Sequence, residues 1–324
     1  MVVVNYHDDL NEVQGTATSA NSPFDRIEWW RGLAEHCGHV PLIAIASDGT
    51  ERAVLPLQRS DTGLTALSNW YNFSWRPLVT PGGAPLLAAL LKDLANKTKA
   101  VSLSPMPDEQ GETKRLQAAF RAAGWVTFRS QSDVNHVLPV AGRSYAEFLA
   151  GRPGQVRTTL KRKANKVAVT IETKFNSSSW AAYEAIYGES WKPGEGSPPF
   201  LRAFAEAEGA VGRLRLGLAH ADGVPVAAQF WTVENGVAYI HKLAHTEASK
   251  PLSPGTTLSA ALFEHVIDRD RVELVDFGTG NDGYKRDWME LVRPRYRLDC
   301  YRPGNPQNWP AIVRQRLRGM LGRG

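Results

Sequence analysis

Three closely spaced apolar segments in the second half of the chain constrain its fold most strongly. They cover residues 213–220, 225–233 and 237–244, and the pairs Asp222-Gly223 and Asn235-Gly236 separate them. Asp-Gly and Asn-Gly are typical of two-residue hairpin turns, because both central residues of such a turn need a positive φ. The pattern therefore predicts an antiparallel meander of three strands.

Helical and strand patterns surround this meander. Before it, a basic helix, a strand and two further helices are predicted at 154–167, 167–173, 178–190 and 198–208. After it, a helix, a strand, a short helix and a last strand are predicted at 256–269, 272–277, 282–289 and 295–301. This order predicts an α+β fold in which helices flank a mixed, mostly antiparallel sheet.

The first half repeats this rhythm weakly. A helix at 23–37 precedes two apolar runs joined by Asp48-Gly49, and a Leu/Ala-rich helix follows near 84–97. A repeated order of elements indicates a duplicated fold. We therefore predict two domains, 1–145 and 146–304, followed by a C-terminal segment at 305–324, and chain length agrees with two domains.

Composition narrows the functional class. The chain is 43% hydrophobic and 22% charged, which is ordinary for a protein with a buried core. It has two cysteines, Cys37 and Cys300, so no disulfide framework or metal-ligand pair is predicted, and a reducing compartment is the default. The N-terminus lacks the pattern of a signal peptide, and no stretch has the length of a membrane span. We expect a cytoplasmic protein.

Basic residues cluster at 152–166 and at 309–324, two segments without acidic residues. The charge is confined to these patches and no nucleic-acid-reading motif accompanies it, so no nucleic-acid partner is expected. In the second cluster, apolar residues recur at helical spacing between arginines: Trp309, Ile312, Val313, Leu317, Met320 and Leu321. Such a helix, over 309–322, either packs on its domain or lies on an anionic membrane surface at the inner face.

Five short segments in the second half, in fixed order, carry a family resemblance. They are Gly223-Val-Pro-Val-Ala-Ala-Gln229, Ala238-Tyr-Ile-His-Lys242, Ser253-Pro-Gly255, Asp276-Phe-Gly278 and Tyr284-Lys-Arg-Asp-Trp288. Together they resemble the GNAT-like acyltransferases of the Fem-related group, which includes acyltransferases associated with cellulose biosynthesis. The resemblance implies two tandem GNAT-like domains, of which 1–145 is degenerate and 146–304 is catalytic.

The resemblance also implies a reaction and a donor site. An acyl group would pass from a thioester, acyl-CoA as co-substrate rather than a tightly bound cofactor, to an amine. Ser253, Pro254, Gly255 and Thr256 open the helix at 256–269, and a helix N-terminus can bind phosphate. The donor loop of GNAT proteins is richer in glycine, whereas here only Gly255 remains. Tyr284 is assigned to the same donor site.

Candidate catalytic and substrate-binding residues follow from the same segments. Lys285, which points away from the face shared by Tyr284 and Trp288, is implied to line the acyl site. The candidate bases are His241 and His245, which strand alternation would place on one face, with Asp276 and Glu184 as weaker alternatives; Asp276 equally fits a loop cap. The candidate acceptor-binding residues are Arg157, Gln229, Tyr239 and Trp288.

Three functions stay open at this point. The first is amide formation from acyl-CoA, with a long-chain lipid amine such as a sphingoid base as one acceptor. The second is Fem-like aminoacyl transfer from charged tRNA to an envelope precursor, although the chain has no room for the helical-hairpin insertion of those enzymes. The third is a non-catalytic accessory role in envelope or polysaccharide assembly.

Overall fold

The computed structural model describes residues 1–13 and 21–321, with the backbone alone at 320 and 321. By its internal contacts the chain divides into two compact units. The first consists of 1–134 together with 293–324, and the second of 135–292.

Within the described residues the backbone forms 13 β-strands. They are β1 Val3–His7, β2 Pro41–Ser47, β3 Arg52–Ser60, β4 Gly63–Ala66, β5 Leu78–Val79, β6 Ala100–Met106, β7 Val126–Pro139, β8 Ala168–Glu172, β9 Leu214–Ala221, β10 Val224–Glu234, β11 Val237–His245, β12 Leu274–Thr279 and β13 Leu291–Tyr301.

The same residues form nine α-helices. They are α1 Ile27–Cys37, α2 Ala84–Asp93, α3 Glu112–Ala122, α4 Tyr145–Ala150, α5 Gly154–Lys163, α6 Ser177–Gly188, α7 Pro198–Ala210, α8 Pro254–Glu264 and α9 Trp309–Leu321. None of the helices in the described part of the chain is both long and apolar enough to cross a bilayer.

In the first unit the sheet has the strand order β1-β2-β3-β4-β6-β13, and β5 pairs with β3. The predicted hairpin around Asp48-Gly49 is confirmed, since β2 and β3 pair antiparallel from Pro41↔Gln58 to Ser47↔Arg52. Helices α2 and α3 cover this sheet and bury Leu86, Leu90 and Phe120 against it. The first half therefore has its own core, as a duplicated fold requires.

The ends of the predicted domains differ from the observed units. Residues 293–304 were predicted to close the second domain, but β13 pairs antiparallel with β6, with Leu298 opposite Leu103 and Cys300 opposite Val101. Leu298 and Cys300 are fully buried in the core of the first unit. The segment from 305 on belongs to the same unit. Hydrophobic pattern identifies a strand but not the partner strand with which it pairs, so this assignment could not be made from sequence.

In the second unit the strand order is β7-β12-β11-β10-β9-β8. The predicted meander is confirmed, because β9, β10 and β11 pair antiparallel in sequence. Both turns have the left-handed conformation that their sequences favour, with φ of 49° and 80° at Asp222-Gly223 and 49° and 74° at Asn235-Gly236. Strands β11 and β12 are parallel, so the sheet is mixed as predicted.

Two layers of helices cover the sheet of the second unit. On one face α8 packs closely, and a Cβ built on Gly217 in β9 would lie 2.9 Å from methyl groups of Leu258 and Leu262. On the other face Trp180 of α6 and Phe204 of α7 pack edge-on against Phe230 in β10, with ring centroids 5.3 and 5.8 Å apart. The fold class predicted from the sequence is therefore confirmed.

A β-bulge lies between β10 and β11. Trp231 pairs with Ile240 but Phe230 pairs with Lys242, so His241 is the extra residue. One extra residue reverses the face to which all later side chains of a strand point. This bulge determines where the two candidate histidines lie.

Candidate functional site

The parallel pairing of β11 and β12 ends inside the second unit. It joins Val237 to Leu274, Ala238 to Val275 and Tyr239 to Asp276, while β11 continues to His245 and β12 to Thr279. In the part of the chain that the structure describes, no later pair joins the two strands. Their carboxyl ends therefore border an opening in which backbone polar groups can meet a ligand.

The loop before α8 faces the same part of the unit. Ser253 has φ 54° and ψ 46°, a left-handed conformation that is uncommon for serine, and α8 begins at Pro254. Lys163 at the end of α5 donates a hydrogen bond from Nζ to Ser253 Oγ at 3.1 Å. The first-turn N–H groups of a helix lack intrahelical acceptors and carry partial positive charge. An ammonium group and a helix N-terminus together suit a phosphate group.

Gln229 supports this loop from the core rather than facing a substrate. Its side chain is 1% exposed, and Nε2 donates to Gly255 O at 3.2 Å and to Ser259 Oγ at 2.7 Å. Its Oε1 accepts a hydrogen bond from Trp231 Nε1 at 2.9 Å. The amide group is therefore used to fix the start of α8, and the predicted acceptor contact does not fit its position.

A continuous series of contacts joins the Ser253–Gly255 loop to Tyr284. A Cβ built on Gly255 would lie 3.5 Å from His245 Cδ2, and the His245 ring packs on Trp191 with centroids 4.4 Å apart. Lys192 lies next in the chain, and its Nζ donates to Tyr284 Oη at 3.4 Å. The same Nζ lies 5.5 Å from the centre of the Tyr284 ring. These contacts link the two segments singled out by the sequence through the side chains of His245, Trp191 and Lys192.

Burial changes the proton affinity of two groups at the Tyr284 end. It raises the pKa of the Tyr284 hydroxyl well above its ordinary value, and Asp282 raises it further through its charge and a hydrogen bond. Burial lowers the pKa of the Lys192 ammonium, and the charge of Asp282 opposes that change. Tyr284 thus stays protonated and can donate a hydrogen bond, while Lys192 releases its proton more readily than an exposed lysine.

Lys285 is a buried lysine. It is 4% exposed, its Nζ donates to the carbonyl oxygens of Gly278 and Thr279, and the Phe277 ring centre is 5.3 Å away. This geometry excludes a solvated side chain. It ties the short 3-10 helix Gly283–Asp287 to the end of β12, where the reacting groups are expected.

Asp276 acts as a cap at the end of β12. Its Oδ1 accepts a hydrogen bond from Gly278 N at 2.8 Å, and Asn135 Nδ2 donates to both carboxylate oxygens at 3.3 and 3.2 Å. The side chain is 7% exposed. The contacts of Asp276 therefore fit a loop cap better than a general base.

The two candidate histidines lie on opposite faces of the sheet. His241 stacks on Phe230 at 5.0 Å and its Nε2 is 2.8 Å from Thr232 Oγ1, on the α6–α7 face. His245 contacts the start of α8 and Trp191. The expectation that alternation would place both on one face is wrong, because the bulge at His241 shifts the alternation by one residue.

Of the other predicted acceptor-binding residues, two are buried and one is exposed. Trp288 is 5% exposed and stacks on Phe263 at 5.0 Å, so it belongs to the core under α8. Tyr239 is 6% exposed and forms the last parallel pair with Asp276. Arg157 is exposed and donates from Nε to Arg152 O, at the start of α5.

The basic segment at 152–166 divides into different environments. Arg152 is buried, packs on Phe148 and bonds to Glu290 and to the Trp288 carbonyl, so it is structural. Lys161, Arg162 and Lys166 are exposed. Of the five basic residues Arg152, Lys161, Arg162, Lys163 and Lys166, Lys163 is the one that forms a hydrogen bond with Ser253 in the described part of the chain.

Sequence reasoning missed Lys163, Trp191 and Lys192 as site residues. Trp191 and Lys192 lie in an irregular segment between α6 and α7, where no period marks which side chains point inward. An adjacent tryptophan and lysine in a loop rich in glycine and proline was the available signal. No cluster of three or more potential metal ligands occurs in 1–13 and 21–321.

Comparison with known proteins agrees with the predicted fold. Residues 145–286 match the family model described as an acetyltransferase (GNAT) domain. No curated protein sequence matches the chain. The structure of FemX is similar, with a TM-score of 0.63 and 11% identity over 91% of this chain and 96% of that chain.

Two further solved structures cover nearly the whole chain. L-PGS from Bacillus licheniformis gives a TM-score of 0.57 and 14% identity over 94% of this chain and 99% of that one. A tandem GNAT protein from the clavulanic acid biosynthesis pathway gives a TM-score of 0.51 and 13% identity, over 92% of this chain and 98% of that one. Likeness at these identities establishes the fold, and the predicted resemblance to the Fem-related group is confirmed at that level. Residues 145–286 thus match an acetyltransferase (GNAT) domain, in a chain that has the fold of FemX and of a tandem GNAT protein.

Proposed function

We propose that the second unit transfers an acyl group from a coenzyme A thioester to an amine and forms an amide. The observation that carries this proposal is the series of contacts from Gly255 through His245, Trp191 and Lys192 to Tyr284. It supports a single crevice with a phosphate-binding helix start at one end and a proton donor at the other.

The donor fits this crevice by its chemistry. The diphosphate of coenzyme A would accept hydrogen bonds from the N–H groups of Gly255 and Thr256 and face the ammonium group of Lys163. The amide groups of the pantetheine arm would pair with the backbone of β11 beyond Tyr239, as an added strand does at a sheet edge. Gly255 leaves room for this approach, since a Cβ there would contact His245 alone among the described residues.

The reaction needs a neutral amine, a held carbonyl and a protonated leaving group. The amine nitrogen attacks the thioester carbon, the C–N bond forms, the carbonyl electrons move to the oxygen and return, and the C–S bond breaks. Tyr284 would pass a proton to the thiolate as Lys192 returns one to its hydroxyl, so that Lys192, whose pKa burial lowers, is the net proton donor. The amine proton would leave to water, because His245 contacts Gly255 at the diphosphate end of the crevice and not at the Tyr284 end. Lys285 and Asp276 would act by fixing the loop after β12.

A long-chain acceptor such as a sphingoid base is the more specific proposal, and α9 of the first unit supports it. Trp309, Val313 and Leu317 follow at i, i+4 and i+8 and are 57%, 55% and 53% exposed, with Arg314 and Arg318 beside them. An exposed apolar stripe between arginines suits an anionic bilayer surface. Ile312 packs inward at 7% exposure, so the helix also docks on its own unit. The side chains of Met320 and Leu321, predicted for the apolar face, and residue Arg323 lie outside the part of the chain that the structure describes.

Mass spectrometry of the purified protein with acyl-CoA and a panel of amines tests the main proposal. Amide and free coenzyme A should form together, and Tyr284→Phe should lower the rate roughly 100-fold, as loss of a general acid does. Tyr301→Phe is the matched control, a half-buried tyrosine of the first unit whose pKa burial also raises. A strict requirement for charged tRNA would favour Fem-like aminoacyl transfer instead. Absence of any product would favour the accessory role.

Vesicle sedimentation tests the membrane proposal separately. Vesicles that contain phosphatidylglycerol should bind the protein, and the triple variant Trp309→Ser, Val313→Ser, Leu317→Ser should stay in solution while its circular dichroism spectrum shows a folded protein. Equal binding of both proteins would contradict a role for α9.

A further inference from the structure

A separate cavity of about 300 Å³ lies between α6 and the segment that follows it. Trp180, Tyr183 and Tyr187 line it, and they stand on one face of α6 at spacings of three and four residues. Their rings are close to one another, with centroids 4.7 Å apart for Trp180 and Tyr183 and 6.0 Å apart for Tyr183 and Tyr187. Each of these residues is less than a tenth exposed, so the wall is a rigid aromatic surface.

Two carboxylates lie among these rings. Glu195 is paired with Lys242 at 2.9 Å, and both side chains are largely buried. The charge of Glu195 is thus compensated within the protein. Glu184 accepts a hydrogen bond from Trp180 Nε1 at 2.9 Å, and a carboxylate has sites for about four such bonds. Glu184 therefore retains the capacity to accept N–H bonds from a ligand in the cavity.

Aromatic faces and a carboxylate together favour a cation. The faces of tryptophan and tyrosine rings attract an ammonium group through their quadrupole, and the attraction strengthens when water is excluded. A hydrogen bond between a charged donor and a carboxylate is stronger than a neutral one. A site with aromatic rings and a carboxylate therefore binds a charged amine more tightly than an uncharged form of that amine.

The cavity also adjoins the proposed reaction site. Lys192 lines it, and the same side chain donates to Tyr284 Oη. The volume corresponds to roughly ten water molecules and stands at the lower end of the range for ligand pockets. It holds an amino acid, an amino sugar or a polar amine head, while a long chain would have to extend outside it.

We propose that this cavity binds the primary ammonium group of the acyl acceptor, between the α6 rings and Glu184. The proposal rests on the proposed acyl transfer and names the acceptor class: a compact amine, or the amine head of a larger molecule. Bound there as a cation, the amine is stored beside Lys192 and Tyr284 until it loses a proton and reacts.

Saturation-transfer NMR of the full chain without an acyl donor tests this binding directly. The probes are ethanolamine, glucosamine and phenethylamine, each beside its N-acetyl form, at about 10 mM, above the millimolar Kd of a weak contact. At least one amine should bind roughly 10- to 100-fold more tightly than its N-acetyl form, because the charged hydrogen bond is lost on acetylation. Equal signals from both members of every pair, or no signal from any amine, would overturn the proposal.

Two variants locate the binding. Glu184→Gln keeps an oxygen for Trp180 Nε1 and should weaken amine binding roughly tenfold, the loss of one charge-assisted bond. Glu206→Gln removes an exposed carboxylate on α7, paired with Arg202, and should leave binding unchanged. Gly188→Leu adds a side chain at the cavity lining where a Cβ meets nothing within 4 Å, so it should block binding without unfolding the protein. Unchanged binding in both Glu184→Gln and Gly188→Leu would overturn the assignment.

Comparison with the acyl-transfer assay separates the two proposals. If the protein binds amines through Glu184 but forms no amide from acyl-CoA, the cavity assignment stands and the proposed reaction fails. If it forms amides at the same rate and KM for the amine in the wild type and in Glu184→Gln, the reaction stands and the cavity assignment fails.

Discussion

Replacement of Gly255 by alanine should raise stability while it lowers function. Gly255 is the second residue of α8, its φ lies outside the left-handed region, and an added Cβ would have a single ordinary contact, with His245 at 3.5 Å. Alanine in a helical position compatible with it is favoured over glycine by about 0.4–1 kcal/mol, chiefly through the entropy of the unfolded chain. Urea unfolding monitored by circular dichroism should show a gain in that range.

The same methyl group would stand beside the N–H groups proposed to hold the donor diphosphate. We expect the KM for acyl-CoA to rise roughly tenfold, which corresponds to about 1.4 kcal/mol of lost donor binding. Gly217→Ala is the control for a glycine that packing does require, because its Cβ would lie 2.9 Å from two leucine methyl groups. It should lose about 1–3 kcal/mol of stability through overpacking.

Two results would refute this reasoning about Gly255. A loss of more than about 1 kcal/mol in Gly255→Ala would contradict the local geometry, since overpacking has costs of that size. An unchanged KM and kcat would mean that no ligand approaches the backbone at this point.

Three further substitutions test the electrostatics of the second unit. Lys285→Met should abolish most activity and cost about 1–3 kcal/mol, because the carbonyls of Gly278 and Thr279 lose their donor. Lys192→Met should stabilise the protein at pH 7, because burial penalises the ammonium group. Lys242→Met should cost about 3–5 kcal/mol, because it leaves the Glu195 carboxylate buried without its cation.

Each substitution has a control and a contradicting outcome. Arg286→Met, at the exposed neighbour of Lys285, should stay within about 0.5 kcal/mol of the wild type. The gain in free energy of unfolding from Lys192→Met should shrink as pH rises towards 10.5. At such pH the lysine is neutral in the folded wild type but still binds a proton in the unfolded chain, so the penalty for its burial disappears. A gain that does not change with pH would contradict the lowered pKa of Lys192. Adding Glu195→Gln to Lys242→Met should recover most of the loss, and strictly additive effects would contradict a pair.

Local signals in the sequence were sufficient for the meander of the second unit. The Asp-Gly and Asn-Gly turns determine the meander because few residues adopt two successive left-handed conformations, and both turns have them. The two segments that carry the resemblance, Ser253–Gly255 and Tyr284-Lys285, are linked through contacts of His245, Trp191 and Lys192. The loop at 189–197, which contributes Trp191 and Lys192 to these contacts, has no hydrophobic periodicity, so its role was not predicted.

The sequence did not predict the surroundings of individual side chains. Gln229 and Trp288 look like polar and aromatic candidates for substrate contact, yet both are buried against side chains of α8, Ser259 and Phe263. The bulge at His241 has no turn signature, and it reverses the face of His245. The partner of β13 depends on long-range pairing, which no local pattern encodes.

A crystal structure with a non-reactive acyl-CoA analogue tests the central claim most directly. We predict the diphosphate oxygens at about 3 Å from the N–H groups of Gly255 and Thr256, with the carbonyl end of the analogue beside Tyr284 and Lys192. A diphosphate bound elsewhere, or an acyl end that points away from Tyr284, would contradict this claim.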